Sequence, residues 1–465
     1  MTDRTTPAAW PLTALVDEHS GIIRRVRSVL TPEGAPAAYT SMTAEVANAR
    51  LLGEWPADRV SLGTTFGDEK SAWIAAVAEA CERYCGNYLP PHGDDLMRGT
   101  AEQLQAADKN VVDLAGLPRF APWQLEREDF EYEELTATTP TLWARCAVDT
   151  AEATERGTGG EIWAPASLVY LNWRLRKYRD LPRVHHLNYA GIATGQGFSD
   201  AIDRALFEVM ERDALELWWH MDGPATGIDT STIDGLDETM ADCAVDYWVV
   251  AMPHEFAPAF AALVYDPATG VYAAGFSAKS DPVEAARKAV LEAVHTWIYT
   301  RGTAEADGWV FQAIEAGLMA RGLHLEHRAD QRYLDDAGRH FRSVRDLGAH
   351  VQIWQDPRTH HLARRFTDPS LGTVPISEIP GVSARQLRRR LAEAGHTVIV
   401  KDLTTTDVTP TGLAVARVLV TDMVPNAPAA FTYYGMPRFQ QAARERGWPI
   451  PENPEDFLLT PAPHM

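Results

Sequence analysis

Residues 208–212 read EVMER, and the same E-x-x-E-R spacing occurs in residues 79–83, which read EACER. Each copy lies near the end of a run whose apolar residues recur at helical spacing, so the pattern predicts a helix for both. Because positions three apart lie on one face of a helix, each helix presents two carboxylates side by side. A single copy is typical of a solvated helix with an i,i+4 ion pair. The two copies together indicate a shared site built from two helices.

The glutamates of the two copies suit a site for magnesium and a polyphosphate. Mg²⁺ takes oxygen ligands, and beside a nucleotide it usually binds one or two carboxylates together with phosphate oxygens. The predicted metal ligands are Glu79, Glu82, Glu208 and Glu211.

The composition is that of an ordinary globular protein, since 45% of the 465 residues are hydrophobic and 23% are charged. The net charge of −21 argues against non-specific nucleic-acid binding, which needs a basic surface, and against an anionic membrane surface. Four scattered cysteines are too few for a disulfide scaffold. Because no apolar run approaches the length of a membrane span, we expect a cytoplasmic protein with neither a nucleic-acid nor a membrane partner.

The sequence pattern predicts a mixed α/β fold in which helices flank β-sheets. The predicted helices are residues 70–84, 199–219, 281–300 and 383–394. The predicted strands are residues 142–148, 167–171, 260–265, 272–276, 396–401 and 413–420.

Residues 190–197, AGIATGQG, are predicted as a glycine-rich loop before the second helix, with Ser199 and Asp200 as caps. The loop lacks the Lys-Ser/Thr pair of a P-loop and does not match the dinucleotide fingerprint. Its backbone N–H groups and the start of the helix could nevertheless face phosphate.

Three segments resemble the hallmarks of the YcaO superfamily of ATP-dependent enzymes that activate peptide backbones. Residues 75–84, AAVAEACERY, resemble the family helix A-x-x-E-A-x-E-R-Y. Residues 191–196, GIATGQ, and 200–214, DAIDRALFEVMERDA, resemble G-x-A-x-G-N followed by E-A-x-x-x-A-L-x-E-x-x-E-R-D-A. Residues 285–295, AARKAVLEAVH, resemble the start of A-x-x-x-A-L-x-E-A-x-Q-x-R. The resemblance implies a YcaO-like fold that carries a site for ATP and Mg²⁺.

The resemblance also implies roles for residues of the second motif. Glu208 and Asp200 would contact metal and phosphate, Arg212 would contact phosphate, and Gln196 would replace the family's asparagine near the nucleotide. Gln196 and Asp200 differ from the family residues in reach, although both keep oxygen ligands.

The third motif departs further from the family, whose Gln and Arg are here His295 and Trp297. Arg301 lies one helical turn beyond Trp297 and could restore the positive charge. Arg24 is a further candidate for a contact with the cofactor. Proposed proton acceptors are His295 and the carboxylate of Met465.

The resemblance covers residues from about 21 to the C-terminus. It implies an N-terminal segment over residues 1–60, followed by a YcaO-like catalytic domain over residues 61–465. Insertions are expected near residues 101–165 and 302–380. The C-terminal tail, LTPAPHM, resembles the short proline-rich tails of azole-forming YcaO cyclodehydratases, and its PPII bias would let it enter a cleft at a low entropic cost.

The function implied is cyclodehydration of a ribosomally made precursor peptide, in which ATP phosphorylates a backbone amide oxygen and an azoline forms. Closure of a macrocyclic amidine, as in stand-alone bottromycin-type enzymes, and thioamide formation are alternatives, and so is a non-catalytic protein that binds peptides. Residues 1–60 do not resemble a full leader-binding domain, so the chain either has a separate leader-binding partner or works alone. A homodimer is expected.

Overall fold

The computed structural model describes residues 10–465 except 48–59, 91–94, 151–158, 318 and 320. Within this part of the chain the strands form three sheets, and long helices pack against them. The mixed α/β class predicted from the sequence is therefore confirmed. None of the helices described combines the length and the apolar character that crossing a membrane requires.

The strands are β1 (Ile23–Ser28), β2 (Tyr39–Val46), β3 (Val60–Phe66), β4 (Leu96–Gly99), β5 (Thr141–Asp149), β6 (Gly159–Pro165), β7 (Ile192–Gln196), β8 (Thr226–Asp229), β9 (Asp246–Met252), β10 (Ala259–Asp266), β11 (Val271–Ala278), β12 (Thr373–Pro375), β13 (Val398–Asp402) and β14 (Leu413–Val420). The sheet orders are β1-β2-β3, then β4-β5-β13-β14-β7 with β6 beside β5, and β11-β10-β9-β8-β12. Pairing is antiparallel except between β12 and β8.

The helices are α1 (Glu69–Asn87), α2 (Ala101–Ala106), α3 (Pro122–Leu125), α4 (Ala166–Val169), α5 (Phe198–His220), α6 (Leu236–Met240), α7 (Pro282–Arg301), α8 (Trp309–Glu315), α9 (His350–Ile353), α10 (Arg364–Thr367), α11 (Ala384–Glu393) and α12 (Arg438–Arg446). Short 3₁₀ turns connect several of them.

Helices α1, α5 and α7 each lie against a different sheet: α1 packs on β2 and β3, α5 on β7 and β14, and α7 on β10 and β11. Glycines let the two helices with the E-x-x-E-R motif approach their strands closely. A Cβ at Gly63 in β3 would lie 2.1 Å from the Ala72 carbonyl of α1, and one at Gly195 in β7 would lie 2.2 Å from the Ala201 amide of α5. The motif helices are therefore fixed against the sheets at backbone distance.

Most of the predicted elements are confirmed. Helices α1, α5, α7 and α11 match the predicted helical ranges to within a few residues at each end, and strands β5, β10, β11, β13 and β14 match five of the predicted strands equally well. Asp281 caps α7 by accepting the Val283 amide, and Pro282 occupies the first turn as expected.

Three local predictions are wrong. Residues 167–171 were predicted to be a strand, but α4 covers Ala166–Val169, because a short, fully buried apolar run has no periodicity that separates strand from helix. The predicted loop of residues 190–197 contains strand β7, which pairs with β14. Finally, the N-cap of α5 is Gly197, so Ser199 and Asp200 do not cap it.

The predicted N-terminal segment, residues 1–60, contributes β1 and β2, which contact α1, and β2 pairs with both β1 and β3. Parts of that segment and of the insertion near residues 101–165 lie outside the described residues. The division of the chain at residue 60 stays a prediction.

Candidate active site

The two E-x-x-E-R helices meet at the segment that begins strand β7. Glu82 of α1 accepts a hydrogen bond from the Thr194 amide at 2.7 Å. Glu208 of α5 accepts one from the Gly191 amide at 3.1 Å. The glutamates of both helices are thus anchored to backbone N–H groups of one four-residue segment, and the convergence expected from the duplicated motif is present.

The pKa values of both carboxyl groups, Glu82 and Glu208, are raised. Burial, then the nearby carboxylates of Glu79 and Glu208, raise the pKa of Glu82 to about 8. Burial also raises the pKa of Glu208. Like charges held together in a poorly solvated place disfavour ionisation. A divalent cation would relieve this repulsion.

Glu79 completes the contribution of α1. Its carboxylate accepts the Leu62 amide of β3 at 3.2 Å and pairs with Arg83 at 3.0 Å. The Arg83 guanidinium in turn lies 4.4 Å from the centre of the Tyr189 ring. Residues from the first sheet, α1 and the approach to β7 therefore surround this carboxylate.

Glu211 and Arg212 connect the cluster to the third sheet. Glu211 accepts the Ala278 amide at the end of β11 at 3.1 Å. Arg212 lies 3.2 Å from Glu211 and 3.9 Å from Glu208. Burial raises the pKa of Glu211 to about 7, and neighbouring carboxylates add to the effect. Arg212 is therefore a cation enclosed among carboxylates, as a residue that contacts both metal ligands and phosphate would be.

Two residues near this cluster have no role in the sequence analysis. Glu292 of α7 raises the pKa values of Glu211 and Arg212, so its carboxylate lies close to both. Lys279 directly follows Ala278 and acts electrostatically on Glu208 and Glu211. Its ammonium has no hydrogen bond or ion pair within the described ranges. Glu292 could have been found from the Glu of the third motif, whereas Lys279 carries no motif signal.

The C-terminal tail reaches Arg212. The His464 imidazole lies 3.3 Å from the Arg212 guanidinium, and burial followed by the nearby guanidinium lowers the pKa of His464. A neutral imidazole accepts the Arg212 N–H. The Pro463 carbonyl accepts the Ala274 amide of β11 at 2.6 Å, and the Pro461 carbonyl accepts the Trp354 indole at 2.7 Å.

Gln196 and Asp200 lie at the junction of β7 and α5. The backbone amide of Gln196 donates to the Asp200 carboxylate at 2.9 Å, and the Arg204 side chain donates to the same oxygen at 3.0 Å. The Gln196 side chain is exposed. Both side chains lie beside the segment that anchors Glu82 and Glu208, and their contact with a nucleotide stays a prediction.

The other predicted residues are not brought to the carboxylates. Arg24 pairs with Glu45 at 3.1 Å on the first sheet. Arg301 donates to the Glu33 carbonyl at 3.0 Å and lies 5.1 Å from the centre of the Trp297 ring.

The two proposed proton acceptors have different contacts. The imidazole of His295 contacts the Tyr39 hydroxyl at 3.1 Å, and burial lowers the pKa of His295 to about 4. Met465 packs on a cluster that includes Tyr299 and Val351. A proton-accepting role for either residue stays a prediction.

The residues of the cluster fit Mg²⁺ bound to a polyphosphate. All donors are carboxylate oxygens, which Mg²⁺ prefers, and Arg212 and Lys279 supply positive charge for phosphate. Among the residues that the structure describes, no three acidic, histidine or cysteine side chains are grouped closely enough to hold a metal by themselves. Mg²⁺ beside a nucleotide usually takes only one or two carboxylates together with phosphate oxygens, so carboxylates spread in this way still suit a site for metal and nucleotide.

The chain belongs to the YcaO family. The family's sequence model, described as YcaO cyclodehydratase, ATP- and Mg²⁺-binding, matches residues 65–424. The resemblance drawn from the three motifs is thus confirmed, and ATP and Mg²⁺ are the cofactors of this family, as predicted. A search of curated protein sequences found no match.

Solved structures share the fold at low sequence identity. A heterocyclase in complex with substrate and cofactor aligns with a TM-score of 0.66 at 17% identity, over 97% of this chain and 56% of that one. The heterocyclase TruD aligns with a TM-score of 0.54 at 19% identity, over 84% of this chain and 50% of that one. YcaO from Methanopyrus kandleri bound with AMPPCP and Mg²⁺ aligns with a TM-score of 0.52 at 17% identity, over 87% and 90%. The chain spans about half the length of the two heterocyclases.

Proposed function

We propose that this chain activates a backbone amide of a ribosomally made precursor peptide with ATP and closes an azoline ring by cyclodehydration. The observation that carries the proposal is the convergence of Glu82 and Glu208, from the two E-x-x-E-R helices, on backbone amides of one segment. Membership of a cyclodehydratase family that binds ATP and Mg²⁺ supports it.

The reaction balances without a nucleophile from the protein. The thiol or hydroxyl of a Cys, Ser or Thr of the peptide loses its proton to a base and adds to the preceding amide carbon, and the former carbonyl oxygen attacks the γ-phosphorus of ATP, releasing ADP. Loss of the amide proton and of inorganic phosphate then leaves a carbon–nitrogen double bond. Phosphorylation turns a poor leaving group into a good one, so the protein has to position the reactants and neutralise charge.

Glu79, Glu82, Glu208 and Glu211 would hold Mg²⁺ on the nucleotide. The ion would neutralise phosphate charge during the transfer. Arg212, fixed between Glu211 and Glu208, would contact the phosphate. Lys279 has no other partner among the described residues and would supply the charge that the family's Arg provides. This assignment fits the contacts better than Arg301, which is engaged by the Glu33 carbonyl.

The peptide would bind where the tail meets Arg212. The backbone of tail residues 458–464 forms hydrogen bonds with α5, with the Trp354 indole directly after α9 and with the Ala274 amide of β11. A tail held in this way would shape one wall of the cleft beside the phosphate.

Because burial lowers the pKa of His295 to about 4, its imidazole is the neutral, proton-accepting form at neutral pH, although a weak base.

Partners and assembly are also proposals. The chain would act on a precursor peptide, either alone or with a separate protein that binds the leader, and as a homodimer in the cytoplasm. Measuring turnover with and without candidate partner proteins, together with the mass of the purified chain by light scattering, tests these proposals.

In the deciding experiment, the chain is incubated with ATP, Mg²⁺ and the short peptide encoded beside its gene, and the mass of the product is measured by mass spectrometry. Loss of one water per modified residue, dependent on ATP hydrolysis, is expected. Fragmentation of the product separates an azoline from a macrocyclic amidine of the same mass. Exchange of oxygen for sulfur when sulfide is supplied would instead indicate thioamide formation. An unchanged peptide that nevertheless binds would favour a non-catalytic protein. The control replaces ATP with a non-hydrolysable analogue.

A further inference from the structure

Arg417 on β14 is a buried cation that donates hydrogen bonds to three backbone carbonyls. Its side chain is 1% exposed. The guanidinium donates to the carbonyls of Val169 at 3.1 Å, Asn188 at 2.7 Å and Ala190 at 2.5 Å. These carbonyls belong to the end of α4 and to the segment that leads into β7. One side chain therefore joins three parts of the chain.

The guanidinium forms no ion pair with a carboxylate of the described residues. Burial lowers the pKa of Arg417 to about 9, while the nearby carboxylate of Glu208 acts in the opposite direction. Enclosing a cation without a directly paired anion costs free energy, and an apolar side chain of similar size would avoid that cost. A role in the site would explain why a cation occupies this position.

The segment that Arg417 holds is the one that anchors Glu208. The Gly191 amide donates to the Glu208 carboxylate at 3.1 Å. The Gly191 carbonyl accepts the amide of Val418, the residue after Arg417, at 2.7 Å. Arg417 and its neighbour thus hold residues 188–191 by side chain and by backbone.

We propose that Arg417 is a positioning residue, which fixes the 188–191 segment so that the Gly191 amide and the buried positive charge hold Glu208 toward the metal and phosphate. This inference rests on the function proposed above. Arg417 itself touches neither the nucleotide nor the peptide. The guanidinium is suited to the task because its planar fork reaches several carbonyls at once, whereas a lysine ammonium supplies the charge without that geometry.

Arg365 provides a matched control. It is 9% exposed, and it donates to the carbonyls of Trp218 at 2.6 Å, Trp219 at 3.1 Å and Gly223 at 3.3 Å. Burial lowers the pKa of Arg365 to about 10. It resembles Arg417 in burial and in its carbonyl acceptors, although its guanidinium also lies 3.4 Å from the Asp222 carboxylate. Its acceptors lie at and beyond the C-terminal end of α5, well past Glu208.

The test compares Arg417→Lys and Arg417→Met with Arg365→Lys and Arg365→Met. Calorimetry measures the Kd of Mg·ATP, thermal unfolding measures stability, and hydrogen exchange follows the peptide that covers residues 188–196. We expect comparable losses of stability for the two positions. Only the Arg417 variants should bind Mg·ATP at least tenfold more weakly and exchange faster in residues 188–196, with Lys less affected than Met.

A double variant tests whether the effect passes through Glu208. In a Glu208→Gln background, Arg417→Lys should change the Kd of Mg·ATP less than twofold, because the group it positions is already altered. An unchanged Kd in both Arg417 variants, an equal loss in the Arg365 variants, or a full additive loss in the double variant would overturn the proposal. Should Arg417→Met fail to fold, the two lysine variants decide. Absence of Mg·ATP binding by the unaltered chain would instead reject the proposed function, and exchange in residues 188–196 would still report whether Arg417 fixes the segment.

Discussion

The guanidinium of Arg212 lies 3.3 Å from the imidazole of His464, although 252 positions separate the two residues. The contact puts the tail against the same arginine that pairs with Glu211 and Glu208. Tail and carboxylate cluster therefore share one cation, and the tail lies beside the place where phosphate is expected to bind.

Deleting the last five residues should lower cyclisation far more than it lowers Mg·ATP affinity. We expect product formation to fall at least about a hundredfold, while the Kd of Mg·ATP changes by less than about threefold. The deletion also removes the acceptor of the Trp354 indole, so some loss of thermal stability is expected. Assays should be run well below the unfolding temperature of the deleted chain.

His464→Gln is a less disruptive variant than the deletion, since it retains the rest of the tail. It should show an intermediate rate of product formation and the thermal stability of the unaltered chain. Full turnover in the deleted chain would mean that the tail only packs on the surface of the site.

Glu208→Gln should keep the fold and abolish ATP-dependent product. The amide retains an acceptor for the Gly191 N–H but loses the charge that binds Mg²⁺. With the peptide at saturating concentration, we expect kcat/KM for ATP to decrease at least about a hundredfold. The exposed Glu238→Gln is the control and should behave as the unaltered chain. Unchanged turnover in Glu208→Gln would remove Glu208 from the metal site.

Glu82 is expected to make the free energy of unfolding depend on pH. Its folded pKa of about 8 exceeds the ordinary value of 4.5, so between these values the folded state holds more protons than the unfolded state. The free energy of unfolding should therefore fall as pH rises through this window and level off above the folded pKa. Glu82→Gln removes this titration and should be more stable than the unaltered chain at pH 8, by on the order of 1–3 kcal/mol, with no difference near pH 4.5.

Urea unfolding without nucleotide, at both pH values, checks this prediction. The exposed Glu238→Gln is again the control. A difference of the same size at both pH values would trace the effect to packing rather than to titration. Adding Mg·ATP at pH 8 should reverse the order, because only the carboxylate can bind the metal.

Lys279→Ala and Arg301→Ala separate two candidate sources of positive charge. We expect Lys279→Ala to raise the KM for ATP at least about tenfold, equivalent to about 1.4 kcal/mol. Arg301→Ala loses the contacts with the Glu33 carbonyl and Trp297, so it should lower thermal stability and leave the KM for ATP nearly unchanged. The reverse pattern would restore the assignment of Arg301 made from the sequence.

Helices with a strong apolar period could be predicted from the sequence. Helix α1 and helix α7 match the predicted ranges closely because their patterns extend over several turns. The duplicated E-x-x-E-R spacing also predicted that Glu82 and Glu208 converge. Local periodicity carries this information, since it fixes which face of a helix each carboxylate occupies.

What the sequence could not supply depends on contacts between distant residues. The glycines of residues 190–197 predict a loop rather than strand β7, because Gly195 admits the backbone of α5, a requirement visible only in three dimensions. Lys279 belongs to no motif. It lies near the cluster because the preceding residue, Ala278, donates its backbone amide to Glu211. Arg301 could be placed one turn from Trp297, but not at the Glu33 carbonyl, which comes from a distant part of the chain.

The anchoring of the site glutamates has a consequence for biosynthesis of the protein itself. Glu82 is fixed by a residue 112 positions away, and Glu211 by one 67 positions away, so the carboxylates come together only after much of the chain has collapsed. Contacts of such high sequence separation form late, because the entropy of closing long loops must be overcome first. Partly folded chains should therefore be unable to bind nucleotide or consume it. Mg·ATP in the cell should bind only the folded chain and therefore stabilise it. Folded molecules with bound Mg·ATP should then be degraded more slowly than partly folded ones.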